Sequence, residues 1–411
     1  MDDVVIVGGG QAGVQVADSL RAGGFTGAVT IVADESVAPY QRPPLSKDYM
    51  LPDGQPTPLP LRGDRFYSES GVTLRSGVAA TGIDRRSRTV HLADGSELGY
   101  GALVLATGAR NRGLSVPGIE LGGIHGLRTL TDAETLREEL GRVRRVVVVG
   151  AGFIGLEFAA AARAHDLQVT VLEGAPRPMG RVLSSAMSEY FVHAHAALGT
   201  DLRLSEGIEH FEGDDGRVTA AWSTTGARYP ADLVLIGIGV VPNVELAVDA
   251  GLEVDNGIVV DDRLRTQDPA IYAIGDCAAF PSVDADARVR LEAVQNATDQ
   301  GRHVAKVLVG HDSPYTDPPW FWSNQGPYRL QIAGLTAPDV LTVTRGDQAT
   351  GKFSVFSFHA DRLVAVESVN QPADHMAARR VLQKRLPVTV GQVQDPEFDL
   401  KAYSKQETPA G

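Results

Sequence analysis

Val4-Val5-Ile6-Val7-Gly8-Gly9-Gly10-Gln11-Ala12-Gly13 returns in kind as Val146-Val147-Val148-Val149-Gly150-Ala151-Gly152-Phe153-Ile154-Gly155. In both stretches an unbroken β-branched run leads into glycines spaced Gly-x-Gly-x-x-Gly, and an Ala-rich stretch follows. An apolar run without alternation reads as a strand buried on both faces, so each copy reads as strand, tight turn and helix. Each then continues to a second β-branched run ending near an acid: Val29-Thr30-Ile31-Val32 before Asp34 and Glu35, and Val169-Thr170-Val171-Leu172 before Glu173. Those are two βαβ units. The repeat accounts for a chain of 411 residues, too long for one ordinary core, without invoking unrelated domains. A further echo is Leu103-Val104-Leu105-Ala106-Thr107-Gly108 against Val234-Leu235-Ile236-Gly237-Ile238-Gly239. These apolar strands finish in small residues, which let a ligand approach the backbone, and mark Thr107 and Gly239 as candidate contacts.

The glycine spacing answers a physical need, that of holding a pyrophosphate against bare backbone. One glycine makes the turn, one permits close approach, one packs the helix, and the helix N-terminus faces the anion. Gly8, Gly10 and Gly13 form one candidate cradle; Gly150, Gly152 and Gly155, with Ile154 between them, form the other. An acid at the end of the next strand accepts hydrogen bonds from an adenosine ribose and repels the extra phosphate of NADP. Glu173 therefore argues for NADH. Gly174-Ala175-Pro176 follows it without a basic residue, and Arg177 is the first cation after it.

Hydrophobic residues make up 43% of the chain and charged residues 22%, close to ordinary globular usage, which argues against wholesale disorder. The formal net charge of −13 repels phosphate backbones and anionic membranes, so nucleic acid and membrane surfaces are excluded as expected partners. A single cysteine, Cys277, excludes an internal disulfide and a dithiol centre and suits a reducing compartment. Met1-Asp2-Asp3 carries negative charge and the apolar run after it is short, so the expected location is the cytoplasm. No metal site is expected: the 10 histidines show no ligand spacing, and His193 and His195, two apart, point in different directions on a helix.

From Trp320 onward the pattern changes to alternating runs such as Phe353-Ser354-Val355-Phe356-Ser357-Phe358, then a helical stretch over 377–386. A third, α+β domain is expected there, with 314–319 as a Pro-rich linker before it. The tail after Pro387 shows little periodicity, and its extreme end is expected to be mobile.

Thr266-x-x-Pro269-x-Ile271-Tyr272-Ala273-Ile274-Gly275-Asp276 resembles a second flavin fingerprint. With it, the whole arrangement resembles the pyridine-nucleotide flavoprotein reductase superfamily, in which FAD takes the N-terminal fingerprint and NAD(P)H the inserted second one. The fold this implies is α/β: two Rossmann-like dinucleotide-binding domains, arranged as in glutathione reductase, plus the C-terminal α+β domain. The expected divisions are an FAD-binding domain over 1–114 and 243–318, an NADH-binding domain over 115–242, and a C-terminal domain over 319–411. Disulfide reductases of this superfamily carry a Cys pair after the first βαβ unit, and their peroxide, oxygen and coenzyme-A-disulfide relatives a single Cys. This chain reads instead Tyr40-Gln41-Arg42-Pro43-Pro44-Leu45-Ser46-Lys47, which resembles the Pro-Pro-Leu-Ser-Lys signature of oxygenase-coupled ferredoxin reductases. Leu127-Arg128-Thr129-Leu130-x-Asp132-Ala133, Gly152-Phe153-Ile154-Gly155-Leu156-Glu157, Asp255-Asn256-Gly257-Ile258-Val259-Val260 and Trp320-Phe321-Trp322-Ser323 extend the likeness along nearly the whole chain.

The resemblance implies residue roles. Asp34 is the ribose acid for FAD, with Glu35 as the alternative, and Ala12 is a pyrophosphate amide donor. Arg42, Lys47, Val78, Arg128, Asp276 and Val294 are further flavin contacts. An ammonium at Lys47 would hydrogen-bond the isoalloxazine and stabilise negative charge arriving with hydride. Glu157 pairs with Lys47 and orients the nicotinamide. Trp320 and Trp322 lie either beside the flavin at a docking face or as plain core anchors. Arg302 docks an acidic partner or is simply a solvated arginine. The implied activity is that of an NADH:ferredoxin reductase, passing hydride from NADH to flavin N5 and then single electrons to a [2Fe-2S] ferredoxin that serves an oxygenase. Rubredoxin, a quinone or a small oxidised metabolite are alternative acceptors, and a redox-sensing flavoprotein is an alternative class. A net charge of −13 opposes an acidic ferredoxin, so the docking surface is expected to be locally basic around Arg302.

Overall fold

A computed structural model describes residues 3–54, 57–337 and 339–407. The chain gathers into two compact units, one of 1–41, 58–110 and 241–317, the other of 42–57, 111–240 and 318–411.

In the first unit the strand Asp3–Val7 lies at the centre of a five-stranded parallel sheet. It is flanked by Ala28–Ala33 on one side and Ala102–Leu105 on the other, with Val72–Ser76 and Ile271–Ala273 at the edges. Val4 to Val7 are all buried, as an unalternating apolar run requires of a strand covered on both faces. The second unit repeats the design around Arg145–Val149, in the order Asp201–Leu204, Gln168–Glu173, Arg145–Val149, Leu233–Ile236, Ile124–His125. The duplication extends to register: Val7 pairs with Val32, and Val149 with Leu172. It also extends to a three-stranded antiparallel meander before the fourth strand: Ala80–Asp84, Thr89–Leu92 and Glu97–Gly99 in one unit, Ile208–Asp214, Arg217–Ser223 and Arg228–Pro230 in the other.

The C-terminal part of the second unit is a five-stranded antiparallel sheet in the order Trp320–Gln325, Tyr328–Gly334, Arg362–Val369, Lys352–His359, Leu341–Asp347. The helix Pro372–Gln383 covers one face through Ala377, Ala378 and Val381 packed on Phe356 and Val366. The opposite side of the alternation carries Ser323, Gln325, Ser357 and Glu367, all fully buried. On this buried face Ser323, Gln325 and Glu367 bond to the same unit's dinucleotide-binding half.

Two stretches carry more structure than their sequence patterns announce. The tail after Pro387 is ordered: Thr389 and Gln392 form a capping box on Val390–Gln394, Asp399 caps Leu400–Tyr403, and Val388, Val393 and Leu400 join the core under the sheet. Helices of one turn are too short for periodicity to reveal, although their caps are visible in sequence. Residues 408–411, where mobility was expected, lie outside the described residues. The 314–319 stretch, expected as a linker, is itself packed at Tyr315. Tyr315 is buried against Phe280 and His303, and its N–H donates to the Asp262 carbonyl at 2.6 Å.

Glu367 provides a test of the buried polar face. Its carboxyl accepts from Ser184 N at 2.8 Å and from the Ser184 hydroxyl. Burial pushes the carboxyl from 4.5 up to about 7, while the Ser184 hydrogen bonds act the other way. A group raised in the folded state contributes stability that is complete below its unfolded pKa and is lost as pH rises through its folded one. Stability is expected to fall by about 3 kcal/mol between about pH 4.5 and about pH 7. Urea melts of the native chain and Glu367→Gln across that window check this; the variant should lack that part of the slope.

Candidate active site

In the first unit Gly8 has φ +122°, and a Cβ placed on it would lie 2.1 Å from the Ala106 carbonyl oxygen. A Cβ on Gly13 would lie 2.1 Å from the Gly8 oxygen, whereas one on Gly10 would meet nothing within 4 Å. The first and third glycines thus bring strand and helix together, and the middle one leaves the approach open. The helix Gln11–Ala22 starts at Gly10 with no side-chain cap and no acid in its first turn. Its positive end is left for an anion.

Other expected residues converge on this turn. Gly275, at φ +74°, packs close enough to Ala12 that a Cβ on it would stand 3.2 Å from the Ala12 Cβ, which brings Asp276 to the fingerprint helix. The Gly275 N–H is held by Gln300 Oε1 at 2.7 Å. Gln11 Nε2 donates to Thr298 Oγ1 at 3.0 Å, tying the same helix to Val294–Leu308, whose first residue is Val294 and whose N-terminus also lacks a side-chain cap. Gly8 N donates to Val32 O at 2.8 Å and Val78 N to Ala33 O at 3.1 Å, placing Val78 beside the strand end that carries Asp34.

The register shows an offset between the two copies. Ala33 occupies the position that Glu173 holds in the second unit, and Asp34 follows one residue later. Asp34 is exposed, whereas Glu35 accepts the Tyr40 hydroxyl at 2.7 Å, so Asp34 is the better placed of the two candidate ribose acids. Thr107 is tied to Asn243 at the end of its strand. Its hydroxyl donates to the Asn243 carbonyl at 2.6 Å, and Asn243 Nδ2 donates back to the Thr107 carbonyl at 2.9 Å.

The second unit builds its own cradle. Gly150 has φ +104°, and Cβ atoms on Gly150 and Gly155 would lie 2.5 Å from the Gly237 oxygen and 2.2 Å from the Gly150 oxygen. Gly152 meets nothing closer than 3.8 Å. The helix Phe153–Ala164, with Ile154 in its first turn, again starts on glycine without a side-chain cap. Glu173 is pinned at this turn, accepting from Ala151 N at 2.7 Å and Ala175 N at 2.8 Å. Arg177 spends its guanidinium on the Leu183 and Gly180 carbonyls, both at 3.0 Å. Gly239, at φ +99°, lies under the Arg181 guanidinium.

Lys47 and Glu157 meet in this unit. Two 3₁₀ turns, Pro43–Ser46 and Asp48–Met50, flank Lys47 and turn its side chain to Glu157, one turn into the second fingerprint helix. Their side chains are only 12% and 3% exposed, with Nζ 2.7 Å from Oε2. Nζ also donates to the Pro43 carbonyl at 3.1 Å. Ser46 Oγ donates to Oε2 at 2.5 Å and Ser323 Oγ to Oε1 at 2.6 Å. Removing one partner of such a buried pair strands a charge, at a cost of about 3–5 kcal/mol. Arg42, on the same loop, donates to the Arg128 carbonyl at 2.8 Å, and Asp132 accepts the Arg128 and Thr129 N–H groups. Sequence reasoning found Arg42, Lys47, Arg128 and Glu157 but assigned nothing to Ser46 or Ser323.

Trp320 is anchored, with Arg379 3.8 Å from its ring centre and His375 beside it at 5.5 Å. Trp322 is half-buried, 5.8 Å from Trp320, and its neighbour Phe321 packs on Phe153 at 4.5 Å. Arg302 is exposed on Val294–Leu308, 3.2 Å from Asp299, with exposed Lys306 one turn on. His193 is exposed and His195 fully buried, opposite sides of one helix. Among the described residues no helix is long and apolar enough to cross a membrane.

Two glycine cradles and a cysteine-free loop whose Lys47 is paired with a buried glutamate on the second fingerprint helix define a pyridine-nucleotide oxidoreductase. Residues 2–301 match the pyridine nucleotide-disulphide oxidoreductase family and 320–404 the reductase C-terminal family, and the chain belongs to the former. It is 50% identical over 398 residues to rhodocoxin reductase of Rhodococcus erythropolis, covering 97% of this chain and 93% of that one. The ferredoxin reductase for the CYP199A2 system from Rhodopseudomonas palustris matches with a TM-score of 0.96 at 46% identity, over 98% of this chain and 100% of that one. A covalent putidaredoxin reductase–putidaredoxin complex matches with a TM-score of 0.95 at 41% identity, over 99% of each chain. The cofactors are FAD and NAD(P)H, and the two open helix N-termini fit their two pyrophosphates.

The glycines separate packing from ligand approach. Gly13→Ala is expected to lower stability by about 1–3 kcal/mol through overpacking against Gly8. Gly10→Ala should leave the melting of the flavin-free chain nearly unchanged and weaken FAD binding at least about tenfold, by filling the approach. Thermal melts of apoprotein with FAD titrations followed by flavin fluorescence distinguish the two.

Proposed function

We propose that the chain is an FAD-dependent NADH:ferredoxin reductase whose electrons go singly to a [2Fe-2S] ferredoxin serving an oxygenase. The observation that carries this reading is the pairing of Lys47, on a loop free of cysteine, with Glu157 on the second fingerprint helix. Cys277, the one thiol of the chain, is fully buried, with Sγ 3.3 Å from the Ile274 carbonyl oxygen, and burial pushes the thiol's pKa up. Electrons therefore have no thiol relay within the chain and leave directly to a partner. Bound FAD supplies the conversion of a two-electron hydride into single electrons.

The chain's own residues supply position and charge. Lys47 answers negative charge developing on the ring, and Glu157 fixes the ammonium and orients the nicotinamide. Arg42, Arg128, Asp276, Val294 and Val78 hold the flavin, with Asp34 on its ribose, and Trp322 lies beside it. Glu173 accepts the ribose hydroxyls of NADH and repels a 2′-phosphate, while Arg177, already committed to backbone carbonyls, does not offset that repulsion. The FAD-binding domain in this reading is 1–114 with 243–318, the NADH-binding domain 115–242, and 319–411 the third. Arg302 and Lys306 give an acidic ferredoxin a local basic landing site despite the net charge of −13. The cytoplasm is the place such chemistry and an unpaired cysteine suit.

NADH-driven cytochrome c reduction by the flavin-loaded protein, with and without [2Fe-2S] ferredoxins and rubredoxins, tests this. A ferredoxin should stimulate the rate strongly and rising salt should suppress the stimulation. Arg302→Glu should weaken the ferredoxin-dependent rate, and Lys47→Met should slow flavin bleaching by NADH on the order of a hundredfold. Stimulation by rubredoxin alone would move the acceptor; no bleaching by NADH would sink the mechanism.

A further inference from the structure

Beyond Ser323 the hydrogen bonds continue. Gln325 Nε2 donates to Ser323 Oγ at 3.1 Å, with Met179 Sδ at 3.5 Å, and Gln325 Oε1 lies 2.8 Å from His195 Nε2. An amide oxygen only accepts, so the ring nitrogen facing it carries the proton. His195 Nδ1 has no partner and keeps its lone pair. Every donor in the series then points one way, from His195 through Gln325 and Ser323 to Glu157 Oε1. From the other side Ser46 and Lys47 donate to Oε2. Burial lowers the pKa of His195, against the Gln325 hydrogen bond, in keeping with a neutral ring.

The placement follows from the fold. Ser323 and Gln325 are two apart on the strand Trp320–Gln325 and share its buried face. His195 comes from the last turn of Ser185–Ala197, and Glu157 from Phe153–Ala164. Ser323, Gln325 and His195 are fully buried. Three desolvated polar side chains are a poor choice for stability alone, because an apolar interface of the same shape stabilises as well or better. Hydrogen bonds aligned head to tail polarise one another, and the series ends on a carboxylate, where aligned dipoles have the largest effect.

We propose that Ser323, Gln325 and His195 are positioning residues for the Lys47–Glu157 pair, holding the Glu157 carboxylate in one orientation and through it aiming the Lys47 ammonium. The inference rests on Lys47 being the group that acts on the flavin. It extends the reacting site to residues behind the Lys47–Glu157 pair.

The test uses the FAD-loaded full chain with Ser323→Ala, which removes one donor, Ser323→Thr, which restores a hydroxyl, and Gln325→Leu, which removes the amide's bonds to Ser323, Met179 and His195 at similar volume. Flavin reduction at saturating NADH should slow about tenfold in Ser323→Ala, the worth of one hydrogen bond to a charged group, and about threefold in Gln325→Leu, which loses a neutral one behind it. The half-saturating NADH should stay within about twofold, since only charge placement has changed. The flavin midpoint potential should become more negative, and Ser323→Thr should recover rate and potential. A folded Ser323→Ala or Gln325→Leu with native rate and potential overturns the proposal. Imidazole ¹⁵N spectra of the native chain at neutral pH give a reading that needs no variant: Nε2–H on His195 supports the series, and Nδ1–H breaks it. Should NADH fail to reduce the native flavin, the reductase reading falls, while the potential and the tautomer still decide this one.

Discussion

Each half of the molecule depends on a contact between two stretches of bare backbone. Gly13 meets the Gly8 carbonyl, and Gly155 the Gly150 carbonyl, at separations where a single methyl would collide. That contact sets the angle at which helix leaves strand, and the angle leaves the first N–H groups of Gln11–Ala22 and Phe153–Ala164 uncapped. The placement of Glu173 follows from it as well, because its carboxylate reaches the turn through the Ala151 N–H. So does that of Glu157, which stands one turn along the second of these helices.

The fold was legible because its signal is local and repeated. A β-branched run, three glycines and a helix occupy neighbouring residues, and the second copy confirms the reading of the first. Lys47 and Glu157 were legible as a pair through likeness to a family, and the 2.7 Å ion pair joins them. The partners that complete their environment were not. Ser46, Ser323, Gln325 and His195 are scattered over three segments, and only strand register and helix phase, which sequence does not state, bring them to one carboxylate. Ala33 in the place of Glu173 shows the same limit on a smaller scale: the acid was visible, its offset by one residue was not. The ordered tail escaped because helices of one turn carry no period, even though Thr389 and Gln392 announce a cap.

The second unit gains specificity from burying polar groups. Its C-terminal sheet turns an apolar face to Pro372–Gln383 and a face with Ser323, Gln325 and Glu367 to the dinucleotide-binding half. A greasy interface tolerates sliding, because dispersion has no direction. Glu367 on Ser184, Gln325 on His195 and Ser323 on Glu157 permit a single setting. The sheet thereby becomes part of the site's alignment even though it carries no cofactor fingerprint.

The clasp between Thr107 and Asn243 has a consequence for how such a chain could arise. In its longer excursion, over 111–240, the polypeptide departs from its first unit and returns to it beside the same clasp, fastened by two reciprocal hydrogen bonds. Everything between is, to the first unit, a loop whose ends are already closed, and the entropy of closing a loop grows only slowly with its length. A gene segment for a second nucleotide-binding fold could therefore be inserted, lengthened or exchanged there with little disturbance to the host. The repeat in the sequence is then read as a graft into a copy of itself, with the clasp as the suture.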